Sequence, residues 1–146
     1  MSKANDLLEA LEDLTWENYV DIADGVTQFN KLEIDTEMAR QASVYSYYQG
    51  LLSIAKKRLD DANLDLTKYT AQTRKEKKAS TVAKQTAKDL DDFVESTEEF
   101  VEYSKEVNNA SFKYTLLKGL VSSLEHKKDM LVQLSSNRRA EANLYR

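Results

Sequence analysis

The chain has 146 residues, with 41% hydrophobic and 32% charged side chains, a net charge of −4, three glycines, and neither proline nor cysteine. The absence of cysteine excludes disulfides and thiolate metal sites. Few turn-forming residues and frequent aromatic residues favour long helices over a turn-rich sheet protein or a disordered chain. Because no signal-peptide pattern and no apolar run of ~20 residues is visible, we expect a cytoplasmic protein without a membrane partner.

Charge alternates in blocks along the chain. Residues 1–40 carry a net charge of −7, residues 41–88 carry +6, residues 89–107 carry −7, and residues 108–146 carry +4. Such alternation fits antiparallel segments that complement each other, or an oligomer in which unlike blocks meet. The basic blocks could also face a nucleic acid.

The first 31 residues predict short helices. Leucines recur at helical spacing from Leu7 to Leu14. Thr15 is a candidate N-cap for a second short helix, which Gly25 could end or weaken. We therefore expect residues 1–31 to form an acidic helical extension, and residues 32–146 to form the main domain.

Two heptad patterns of equal length follow. The first begins after Asp35 or Thr36, either of which would cap a helix, and the second begins after Ser96. Eight consecutive a and d positions are filled in each pattern, which is a strong coiled-coil signal. These positions are Tyr45, Tyr48, Leu52, Ala55, Leu59, Ala62, Leu66 and Tyr69, and then Phe100, Tyr103, Val107, Ala110, Tyr114, Leu117, Val121 and Leu124. The patterns predict an all-α fold in which two arms form an antiparallel helical hairpin along this seam, with a short helix from Ser80 or Thr81 at its tip.

Further apolar residues lie beside both seams, and a two-armed hairpin on its own would expose them. They are Leu51, Ile54, Leu64, Phe112, Leu116 and Leu120. Because exposed apolar patches of several hundred Å² usually mark an interface, we predict a homo-oligomer.

No pattern points to catalysis. His126 is the only histidine, and its neighbour Glu125 points to a different helix face. Gly-rich phosphate loops, nucleophile elbows and histidine–carboxylate metal spacings are absent from the sequence. We therefore expect a protein that is not an enzyme and that uses no metal and no cofactor.

Basic residues concentrate before and within the segment that joins the two arms. A helix C-terminus is stabilised by one or two cations, but four between residues 74 and 78 repel each other unless phosphates or a neighbouring subunit's acids neutralise them. Tyr47 and Tyr69 would offer stacking surfaces to unpaired bases, although Tyr69 also lies on the seam. The predicted nucleic-acid contacts are Lys56, Lys57, Arg58, Lys68, Arg74, Lys75, Lys77, Lys78 and Lys84.

The stretch LEIDTEMARQASVYSYYQGLLSIAKKRLDDANLDL, residues 32–66, resembles the core of phage recombination mediators of the UvsY type. FKYTLLKGLVSSLEHKKDMLVQLSSNRRAE, residues 112–141, is similar to their closing helix. The resemblance rests on Ile34, Asp35, Thr36, Tyr45, Tyr48, Lys56 and Lys57, and on the basic cluster at Arg74, Lys75, Lys77 and Lys78.

The resemblance implies a phage protein in the cytoplasm of its bacterial host, assembled as a ring of roughly six to eight subunits. It further implies that the basic cluster binds single-stranded DNA. Such proteins help displace a single-strand binding protein and load a RecA-like recombinase onto DNA, and both proteins would then be partners.

Two other functions stay open. The chain could be a structural or adaptor coiled-coil phage protein, such as an assembly chaperone or scaffold, whose basic clusters pair with acidic blocks such as residues 89–102. It could also inhibit a host nucleic-acid enzyme through its acidic first 40 residues.

Overall fold

The computed structural model describes the chain from Lys3 to Arg146, and its side chains from Asn5 onward. All regular structure in this range is helical, which confirms the predicted all-α class. The elements are α1 (Lys3–Glu12), α2 (Trp16–Thr27), a 3-10 turn (Lys31–Glu33), α3 (Ile34–Ser80), α4 (Ala87–Glu95) and α5 (Glu98–Leu144). Within the described range, no helix combines the length and the apolar character that a membrane crossing requires.

The chain divides into two compact units. The first comprises the described residues up to Ile54 together with Lys113–Arg146, and the second comprises Ala55–Phe112. Both long helices, α3 and α5, therefore contribute to both units. The described part of the predicted acidic extension, from Lys3 to residue 31, belongs to the first unit.

The first unit has a core built mainly on α5. Six apolar α5 side chains are buried in it: Leu116, Leu117, Leu120, Val121, Leu124 and Leu131. The N-terminal segment contributes Leu11 and Leu14, and α3 contributes Ile34 and Leu51. Because Leu116, Leu117, Leu120 and Val121 are all buried, α5 is covered over a broad arc there and not along a narrow coiled-coil seam.

Two lysines of α5 hold the N-terminal helices by their C-terminal ends. The ammonium of Lys113 donates to the backbone carbonyls of Leu11 and Glu12, both at 2.8 Å. The ammonium of Lys127 donates to the carbonyls of Val26 at 2.9 Å and Gln28 at 3.3 Å. The last carbonyls of a helix have no partner within the helix and carry partial negative charge, so a cation stabilises them.

Two further contacts order the first unit. The side chain of Lys127 also forms an ion pair with Glu37 at 3.1 Å, and both side chains are largely buried. The buried amide of Gln41 donates to the carbonyl of Leu124 at 2.8 Å, which ties the start of α3 to α5. Buried polar groups are tolerated where such partners exist.

The second unit has a smaller core. Ala55, Ala62, Leu90, Val94 and Ala110 are its buried apolar residues. The rings of Tyr69 and Tyr103 lie 5.0 Å apart, and the Tyr69 hydroxyl is 2.7 Å from the hydroxyl of Thr97. The α3 and α5 segments of this unit therefore meet through small residues and a tyrosine pair.

The predicted start of α2 agrees with the structure, and the predicted start of α3 does not. Thr15 caps α2 in a capping box with Asn18, as expected. The cap predicted at Asp35 or Thr36 is wrong, because α3 already begins at Ile34 after the 3-10 turn.

The short helix at Ser80 or Thr81 was also placed wrongly. Both hydroxyls donate to the carbonyl of Lys77, so they cap the C-terminal end of α3 and do not start a new helix. The next helix, α4, is capped by Thr86. Ser96 ends α4, and the hydroxyl of Thr97 accepts the Phe100 N–H at the start of α5.

The predicted seam residues differ in burial. Leu117, Val121 and Leu124 are buried, as are Ala55, Ala62 and Ala110, whereas the tyrosines and leucines of α3 are only half-buried. The half-buried members of the predicted seam are Tyr45, Tyr48, Leu52, Leu59, Leu66, Tyr69, Phe100, Val107 and Tyr114, and Tyr103 is exposed. The oligomer was predicted from an apolar face left exposed, yet Leu51, Leu116 and Leu120 of that set are buried within the chain. Leu64 and Phe112 stay about half exposed, and the oligomer stays a prediction.

Candidate nucleic-acid interface

The candidate interface lies at the end of α3 and in the loop that follows it. Within the second unit, Lys68, Lys75 and Lys78 are spaced by seven and three residues, so they share one face of the helix. Ala62 and Tyr69, which pack inward, lie on another face. The heptad pattern that buries one side of α3 therefore turns these lysines outward.

Four of the nine predicted contact residues have free ammonium groups. Lys68, Lys75, Lys78 and Lys84 are exposed and have no hydrogen-bond or ion-pair partner among the described residues. Lys84 lies in the loop between α3 and α4. We call these four residues the free lysine set. Glu76, the only acid between residues 68 and 88, accepts a hydrogen bond from Gln72 at 2.8 Å.

The earlier cluster on α3 is neutralised within its own helix. Lys56 pairs with Asp60 at 3.4 Å, and Lys57 pairs with Asp61 at 2.7 Å, each one helical turn further on. The hydrogen bond that Lys57 donates to Asp61, together with the negative charge of that carboxylate, raises the pKa of Lys57. Arg58 is half-buried and also has an interaction partner within the chain. These pairs reduce the net charge that Lys56 and Lys57 present to a ligand.

The two remaining cations are held by α4. The guanidinium of Arg74 lies 3.2 Å from the carboxylate of Asp91. The ammonium of Lys77 sits 4.5 Å from the centre of the Phe93 ring, which is a cation–π contact. Leu90 and Val94, the buried side of α4, fix the helix in this position.

The second unit is balanced in charge but divided between its helices. Ala55–Phe112 contains eleven Lys and Arg and twelve Asp and Glu. Nine of the bases lie on α3 and in the following loop, whereas eight of the acids lie on α4 and α5. The free lysine set thus stands on the basic side of a polarised unit.

The two tyrosines proposed for base stacking have different surroundings. Tyr69 is half-buried and packs on Tyr103, and its hydroxyl contacts Thr97, as suits its position on the seam. Tyr47 is 43% exposed and packs edge-on against Tyr48 at 4.9 Å, but it belongs to the first unit and the free lysines belong to the second.

An aromatic residue that the sequence did not single out lies beside the basic segment. Phe100 lines an open hollow of about 370 Å³. Leu66, Thr67, Thr70, Ala71 and Arg74 form the rest of its wall. The seam position of Phe100 was visible in the heptads, but its place next to Arg74 depends on how α5 packs on α3.

Comparison with protein-family models, curated proteins and solved structures finds no match for this chain. Among the described residues, no group of three or more His, Asp and Glu side chains is arranged to hold a metal ion. His126 is exposed on α5 in the first unit.

Proposed function

We propose that this chain binds single-stranded nucleic acid through the free lysine set at the end of α3. The observation that supports this proposal is that Lys68, Lys75, Lys78 and Lys84 are exposed and unpaired, whereas Lys56 and Lys57 are neutralised within their helix. Unpaired like charges on one face raise the free energy of the isolated chain, and a phosphate backbone removes that repulsion while releasing counterions.

The preference for single strands is part of the proposal. A single strand exposes the faces of its bases, and the hollow beside Phe100 offers an aromatic side chain within the same unit as the lysines. No direct readout of sequence is expected, because lysine contacts to phosphate carry no sequence information.

The resemblance to UvsY-type mediators extends the proposal to a biological role. In that role the chain would help load a RecA-like recombinase onto DNA coated with a single-strand binding protein. The role also requires a homo-oligomer, since repetition of a weak lysine set around a ring would increase overall affinity without new contacts.

The helical hairpin belongs to the same proposal. Its support comes from contacts within each unit. In the first, Gln41 of α3 meets Leu124 of α5, and in the second, Tyr69 of α3 meets Tyr103 of α5. The residue number of the α5 partner decreases as the residue number in α3 increases, which is the order that antiparallel arms require.

The test is fluorescence anisotropy with a labelled oligothymidylate across a salt series. For single strands, each neutralised phosphate contributes about −0.7 to the slope of log affinity against log salt concentration. Lys75→Gln with Lys78→Gln should therefore weaken binding and make the slope about 1.4 smaller in magnitude.

The matched control is Lys56→Gln with Lys57→Gln, which removes the same two charges from the same helix. It should change affinity and slope less, since those lysines are paired with Asp60 and Asp61. No binding by the wild type at low salt would contradict the proposal. Equal losses in both double variants would place the site elsewhere.

The adaptor function has one specific observation in its favour. The eight acids of α4 and α5 in the second unit nearly balance the nine bases of α3 and the following loop, so the lysines of one copy could meet the acids of another. A salt-sensitive oligomer seen by light scattering, with no affinity for the oligonucleotide, would favour this function over nucleic-acid binding.

A further inference from the structure

Helix α4 places a carboxylate on the one arginine of the basic segment at the end of α3. Asp91 lies 3.2 Å from the Arg74 guanidinium, and the two side chains are 49% and 39% exposed. A carboxylate and a phosphate both bind a guanidinium by charge-assisted hydrogen bonds. The acid of α4 therefore occupies a group that a nucleic-acid backbone would also bind.

The position of Asp91 is fixed by local structure. Thr86 and Asp89 form a capping box at the start of α4, and Leu90 and Val94 are buried on its inner side. Asp91 follows Leu90 directly and is half-buried, whereas Asp92 points outward and is exposed. Two adjacent acids of one short helix thus have different surroundings, since one contacts Arg74 and the other has no partner among the described residues.

We propose that Asp91 is a built-in competitor for the phosphate backbone at Arg74. This inference rests on the proposed nucleic-acid binding and concerns its regulation. In the free chain Asp91 neutralises Arg74, and binding of a phosphate displaces the carboxylate or meets its repulsion. The free lysine set makes the first contact, and Arg74 adds to affinity only after Asp91 gives way.

The pair is weak enough to be displaced. An ion pair exposed to this degree stabilises the free chain by little, and its loss changes a binding constant by at most about fivefold. Loss of the Asp91 charge should therefore tighten binding by up to about fivefold beyond the general effect of one less negative charge. The buried apolar side of α4 is untouched by this change, so the helix keeps its place.

The experiment compares Asp91→Asn with Asp92→Asn in the full chain, using the labelled oligothymidylate at low salt. Both substitutions remove one negative charge from adjacent positions of α4, so the general electrostatic effect is matched. We expect Asp91→Asn to bind more tightly than Asp92→Asn, by up to about fivefold. In an Arg74→Gln background the difference between the two should disappear.

Three results would overturn the inference. Equal affinities for Asp91→Asn and Asp92→Asn would mean that only net charge matters. Weaker binding by Asp91→Asn would mean that Asp91 positions Arg74 for the ligand. A difference that persists without Arg74 would place the competition at another residue. Absence of binding in the wild type and in both variants would instead overturn the proposed function itself, and this inference with it.

Discussion

Removal of the Lys127 charge from α5 is expected to destabilise the first unit strongly. Its side chain is only 8% exposed, and its partner Glu37 is 16% exposed. Lys127→Met keeps much of the apolar stem but removes the ammonium, which leaves the Glu37 carboxylate and the carbonyls of Val26 and Gln28 without that donor. Breaking a buried pair from one side costs about 3–5 kcal/mol.

This loss is a large part of the stability of an ordinary domain, which is roughly 5–15 kcal/mol. The assay is urea unfolding followed by far-UV circular dichroism and by the fluorescence of Trp16, the only tryptophan. Trp16 opens α2, and its ring stacks on Tyr19 at 5.8 Å. We expect both signals to shift to lower urea, with the fluorescence change first, because Lys127 holds the end of α2.

Lys128→Met is the matched control. Its ammonium lies 3.9 Å from Asp129, and both side chains are more than 60% exposed. Exposed pairs contribute about 0.2–1 kcal/mol, so this neighbour should change the midpoint little. If Lys127→Met and Lys128→Met have equal effects, or if Lys127→Met costs less than about 1 kcal/mol, the ion pair and the two carbonyl contacts do not hold α2 as described.

Two further changes test other parts of the fold. Gly50→Ala should stabilise the chain by roughly 0.5–1 kcal/mol, because alanine is the better helix former. A Cβ at this site would meet only the Leu7 Cδ1 atom, at 4.0 Å. The urea midpoint measures the change, and a loss of stability would show that α3 needs a glycine there. The hydrogen bonds that Asp89 accepts from the backbone N–H and the hydroxyl of Thr86 lower the pKa of its carboxyl. The stabilisation from Asp89 is therefore present above the ordinary pKa and lost as pH falls through the lowered one, so Asp89→Ala should be less stable than wild type near neutrality and should lose that difference in acid.

The existence of the long helices could be predicted, because four unbroken heptads have few other interpretations. The start of α4 could also have been read from the sequence. Thr86 is followed three residues later by Asp89, which is the spacing of a capping box, whereas Ser80 and Thr81 are followed at that spacing by Ala83 and Lys84. A stricter use of that spacing would have placed the helix correctly.

The contact partners of the candidate site were only partly predictable. The pairing of Lys57 with Asp61 follows from an i, i+4 spacing and was visible in the sequence. The pairing of Arg74 with Asp91 was not, because the acid comes from another helix whose packing is set by Leu90 and Val94. A count of basic residues therefore identified the segment but could not separate free cations from engaged ones.

The two lysines of α5 that reach the N-terminal helices have a consequence for how the chain can be shortened. Lys113 and Lys127 are fourteen residues apart, nearly four helical turns, so they lie on one face of α5 with Leu116 and Leu120 between them. A Cβ added to Gly119 on this stretch would lie 3.6 Å from the Tyr19 hydroxyl, so α2 also approaches α5 between its two lysine anchors. Trimming the chain at residue 31 would thus not remove a loose tail. It would uncover a leucine-rich face flanked by two cations that have lost their carbonyl partners, and such a fragment should self-associate whether or not the full chain does.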